Sequence, residues 1–126
     1  MSRKAVFASV GVFALATMLV GCDNNSPYTA MDYGKQRIAS LMKDPDSAKF
    51  DSVTFHQISN EGDNSFVGYV CGNVNAKNSF GAYSGNQRFI VKTEIRNSGK
   101  TISTSDVVLD DGQTSDFQAL VDKRCK

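Results

Sequence analysis

Ala5 to Val20 carries no charged residue, and Arg3 and Lys4 stand directly before it. This run constrains the chain more than any other feature, because it takes its own residues out of the fold. At about 16 residues it is shorter than the roughly 20 that a helix needs to cross a bilayer. A basic start, a short apolar run and small residues at its end describe an export signal at residues 1–21, removed from the working protein. Loss of Arg3 and Lys4 leaves 12 basic against 13 acidic residues, and the formal net charge passes from +1 to −1. Such a body lacks the basic face by which nucleic acid is bound. It also has no electrostatic pull towards anionic lipid. The single histidine excludes a multi-histidine metal site, and no metal or other cofactor is expected.

The run ends in Leu19-Val20-Gly21-Cys22, followed by Asp23 and Asn24. This resembles the lipobox of bacterial lipoproteins, where an aliphatic residue and small residues precede an obligatory cysteine. The resemblance implies that Cys22 takes a diacylglyceryl group as a thioether, and that cleavage before it frees an amine that is acylated in turn. The chemistry fits, since a thiol is the nucleophile and a small neighbour lets a peptidase reach the bond. More than one acyl chain matters, because a single chain holds a protein only marginally, at roughly 0.8 kcal/mol per buried methylene. The implied partner is the lipid bilayer, and the implied place is the bacterial cell membrane, facing the periplasm. Asp23 resembles the enterobacterial signal for retention in the inner membrane. Residues 22–27 then form a short lipidated tether, and 28–126 a single domain.

Within that domain, Ser26-Pro27 is a helix start, with serine as cap and proline in the first turn. Met31, Gly34, Ile38, Leu41 and Met42 share one face at helical spacing, which predicts a helix from about 28 to 43. Asp44-Pro45 stops it. Strands are expected at 52–58, 66–74, 88–96 and 101–109, separated by the turn-rich stretches 60–64 and 97–100. Ser115 and Gln118 read as the capping box of a last helix that carries Phe117, Leu120 and Val121. The order predicts an α+β domain, with an N-terminal helix, an antiparallel sheet of about four strands and a C-terminal helix. Both helices are expected on one face of the sheet.

With Cys22 assigned to lipid, Cys71 and Cys125 remain. An exported protein meets an oxidising compartment, so a disulfide between them is expected. Cys71 has no cysteine partner at two-residue spacing, which excludes the thioredoxin-type redox motif. After Cys71 the connection to the next strand is long and rich in Asn, Gly and aromatic residues. Asn75, Asn78, Phe80 and Tyr83 are its candidate binding residues. The same residues also suit a loop whose aromatics fold back and whose Asn and Gly only supply turns. Lys77 lacks the context of a phosphate-binding loop.

The segments Lys43-Asp44-Pro45-Asp46-Ser47-Ala48-Lys49-Phe50 and Cys71 to Ile90 resemble the recurring core of a group of small, exported, uncharacterised bacterial proteins. The resemblance implies one compact domain and no particular chemistry. His56 with nearby carboxylates would be the basis of a small envelope hydrolase, but no nucleophile motif or metal cluster accompanies it, and Asp46 and Asp51, acids beside a turn, suit capping or solvation of that turn. Asp110-Asp111-Gly112 lacks the ligand spacing of a calcium loop. The reading is a small binding or accessory module of the cell envelope, not an enzyme. Its partner would be another envelope protein or cell-wall material. The alternatives are that hydrolase, or an exclusion or inhibitor lipoprotein from a mobile element.

Overall fold

The computed structural model describes residues 25–59, 65–113 and 116–126. Cys22 and Asp23 with the rest of the lipobox, the turn at 60–64 and Ser115 lie outside the described residues. In chain order come helix α1 (Pro27–Ala39), a 3-10 turn (Pro45–Ser47), strands β1 (Lys49–Ser59), β2 (Phe66–Asn75), β3 (Gln87–Arg96) and β4 (Thr101–Leu109), and helix α2 (Phe117–Arg124). The strands form one antiparallel sheet in the order β1-β2-β3-β4. This is the expected α+β domain with two helices and four strands.

Helix α1 begins as its sequence dictates. Ser26 Oγ accepts a hydrogen bond from the Thr29 amide at 3.2 Å, and Pro27 fills the first turn. It stops at Ala39, earlier than expected. Ser40 Oγ donates to the Arg37 carbonyl at 2.6 Å, and the next amides tighten to i−3 bonds, Leu41 to Ile38 and Met42 to Ala39. The tightening turns Leu41 outwards to 44% exposure, while Met42 stays against the core.

The two helices lie on opposite faces of the sheet, which corrects the expectation that they share one. Val70 pairs with Val91, and Cys71 pairs with Ile90. Adjacent residues of a strand point to opposite faces, so β2 and β3 bury both. On one face, Ile38 of α1 packs on Val70, Val74, Phe89 and Val91, with Phe50, Val53 and Phe55 at the side. On the other, Phe117, Leu120 and Val121 of α2 cover Cys71 and Ile90. The edge strands are bent by irregularities. Ser52 in β1 and Asp106 in β4 adopt φ of 54° and 48°, each at a shift of register. The extra residue in β1 lets Phe50 and Val53 face the same core although they are three apart.

Thr93 lies in β3 between Gly68 and Thr104 and is wholly buried. Its Oγ1 has no hydrogen-bond partner among the described residues. Thr93→Val keeps the shape and removes the unpaired hydroxyl. We expect it to stabilise the domain by about 1–2 kcal/mol in chemical denaturation. A loss of stability would mean that the hydroxyl is satisfied in solution.

Candidate functional site

The connection between β2 and β3 is a small, locked hairpin. Lys77 and Tyr83 form a bridge across it, and the Asn78 amide donates to the Ala82 carbonyl at 2.8 Å. Asn78 closes the tip from inside. Its Oδ1 accepts from the amides of Phe80 and Ala82, at 2.9 and 3.2 Å. Gly81 makes the turn at φ 78°, in the region that glycine enters most freely. Asn75 Oδ1 accepts from the Gly85 amide at 3.1 Å and fastens the return limb. Both asparagines are therefore spent on the loop itself, and what they supply is its shape.

The two aromatic residues part company. Tyr83 folds back: its hydroxyl donates to the Ser47 carbonyl at 3.1 Å, and Ser47 Oγ accepts from the Lys77 amide at 2.8 Å. The ammonium of Lys49 sits 4.5 Å from the Tyr83 ring centre and that of Lys77 sits 5.8 Å from it. These contacts join the 43–50 and 71–90 segments, a juxtaposition that spacing alone does not reveal. Phe80, by contrast, is 95% exposed at the tip. From Asn78 to Gln87 the chain carries no charge.

Beside the hairpin lies an open cleft of about 460 Å³, floored by Met42, Val74 and Ala76 and rimmed by Gly85, Asp111 and Gly112. Arg88, at its side, is already committed. It donates through Nε to Asp110 Oδ2 at 2.9 Å and through Nη1 to Gln118 Oε1 at 2.8 Å, and its guanidinium lies 4.8 Å from the Phe117 ring centre. Arg88 thus ties the segment after β4 to α2, a role that sequence reading missed because its partners lie 22 and 30 residues away. Gln118 bonds Arg88 and Asp122, and the cap position of α2 is Asp116, next to Ser115, which lies outside the described residues. The expected disulfide is present: Cys71 and Cys125 are joined, 54 positions apart in sequence.

Among the described residues, His56 gathers no catalytic group. Its Nε2 is 2.8 Å from Thr54 Oγ1 in the same strand, and it pairs across the sheet with Tyr69. Asp51 pairs with Asn73, four residues further along β2, which separates the two by roughly 13 Å along the strand. The open part of this sheet face carries Lys92, Glu94 and Arg96, where one carboxylate is shared by two cations. Glu94 meets Lys92 and Arg96 at 3.1 Å each. Hydrogen bonds from Lys92 and Arg96 hold its carboxyl below the usual carboxylate range. Among the described residues, no group of His, Cys, Asp and Glu could hold a metal ion, and no helix is long and apolar enough to cross a membrane.

The end of α1, and not its start, lies towards the hairpin. Gly34 stands against Val70, and Met42 stands beside Val74 and Ala76, so α1 runs in the same direction as β2. The tip follows the end of β2, and the start of α1 lies towards its beginning. No family model, no curated protein and no solved structure matches the chain.

Proposed function

We propose that the chain is a bacterial lipoprotein, anchored through acylated Cys22, that faces the periplasm and works as a small binding module through the tip of the 76–86 hairpin. One observation carries this reading. An exposed phenylalanine is held on a hydrogen-bonded loop at the end of the sheet away from the start of α1, where the tether enters. From Cys22 to Pro27 an extended tether reaches roughly 17 Å. A domain held there presents Phe80 away from the bilayer. Asp23 would keep the protein in the inner membrane where the enterobacterial sorting rule applies. Partners on this reading are an envelope protein or cell-wall material, and an inhibitor or exclusion lipoprotein is a special case of it. Among the described residues His56 bonds Thr54 and no carboxylate, which gives the hydrolase no support.

Two measurements test the two halves of the reading. Palmitate is expected to label the wild-type protein and to be lost in Cys22→Ser; persistent labelling of the variant contradicts the anchor. A photo-reactive residue at Ser79 leaves Phe80 in place. It is expected to give a defined adduct in cells producing the full-length chain at native level. Absence of any adduct contradicts the binding role.

A further inference from the structure

We infer that the partner is a folded protein and that Phe80 enters a single apolar pocket on it, as the anchor residue of the contact. This rests on the binding-module reading and narrows it. Three features point to a pocket. First, Phe80 is 95% exposed, more than any other large apolar residue among the described ones, and its neighbours at the tip are Ser79 and Gly81. Tyr83, 38% exposed, is held down by Ser47 and the two lysines, Tyr28, Tyr33 and Leu41 belong to α1 and the turn that ends it, and Ile58 belongs to the far end of β1. A membrane or a flat apolar surface is met by a broad apolar face, whereas a lone ring gains most by filling a desolvated cavity.

Second, the ring is presented by a fixed loop. Asn78 spends its carbonyl oxygen on the amides on both sides of Gly81, so little backbone freedom is left to lose on binding. Third, the tip is uncharged, and the two lysines at its base lie over the Tyr83 ring. The contact is therefore driven by apolar burial, with little dependence on salt. A partner bound through charge would show the opposite behaviour.

The experiment takes the protein identified by the Ser79 adduct and titrates it, purified, with the lipidated full-length chain in nanodiscs. Phe80→Ala is expected to weaken binding by at least about 30-fold. Phe80→Leu, which still fills an apolar pocket, is expected to weaken it by less than about tenfold. Affinity should change by less than about threefold between roughly 0.05 and 0.5 M salt. The adduct should map to a concave apolar site on the partner. Binding by Phe80→Ala within about threefold of wild type, or a steep fall with salt, overturns the pocket while leaving the binding module standing. An adduct formed with lipid or with glycan, and not with protein, also overturns it. No adduct at all removes both the pocket and the broader reading.

Discussion

Replacing Cys71 and Cys125 together with alanine is expected to lower the stability of the domain by about 4 kcal/mol, the chain-entropy value for closing a loop of this length. That is a large share of the roughly 5–15 kcal/mol available to a domain of this size. The loss should be uneven. Helix α2 has eight residues, too few to hold itself together in water. It is kept on the sheet by Phe117 at its start, by Arg88 through Gln118, by Arg124 over the Tyr69 ring, and by the disulfide at its end. Without the disulfide its amides should exchange before the sheet opens, while the α1 face, built on Val70, Val74, Phe89 and Val91, keeps its protection. The thermal midpoint should fall by roughly 15–30 °C. A midpoint unchanged by the double substitution, or by reductant, would show that the bridge carries no stability.

The second large effect is expected at Gly68. This residue lies in β2 where the pairing with β1 shifts register, between Gln57 and Ser59. A methyl group there would stand 2.3 Å from the His56 carbonyl oxygen and 2.7 Å from the edge of the Phe55 ring. The oxygen belongs to the backbone, so it moves only if β1 moves. The ring occupies the space a side chain would need, which is how an aromatic neighbour compensates for a strand glycine. Gly68→Ala should cost about 2–3 kcal/mol by forced displacement. Its amide-exchange signature should be loss of protection along β1 with β3 and β4 unchanged. Full stability of Gly68→Ala would mean that β1 has slack at this point. Gly81 and Gly85 offer a contrast, since a methyl group at either meets nothing within 4 Å and only the positive φ resists it.

Much of this architecture can be read from the residues. Alternation and turn chemistry place β2, β3 and β4 within one residue of their observed limits, and the two prolines mark the start of α1 and the turn after it. The pairing of Cys71 with Cys125 is the one expected when Cys22 is set aside. The missed features share a cause. The consecutive apolar residues Phe89, Ile90 and Val91 signal a strand buried on both faces, but a short α2 gives little sign of which face it covers. The start of β1 is hidden by the bulge at Ser52, which breaks the two-residue period. In the hairpin, composition cannot separate Tyr83 from Phe80. Only the meeting of Ser47, Lys49 and Lys77 around Tyr83 shows that one ring is structural and the other is presented.

The central claim is that the contact end of the molecule is the hairpin tip and that the start of α1 is the anchored end. Tyr28 is 75% exposed and offers an accessible comparison at the start of α1. The most direct measurement places the same photo-reactive residue at position 79 in one full-length chain and at position 28 in another, in cells producing each at native level. An adduct with an envelope partner from position 79, with none from position 28, is the expected result. The same adduct from position 28, with none from position 79, would contradict it.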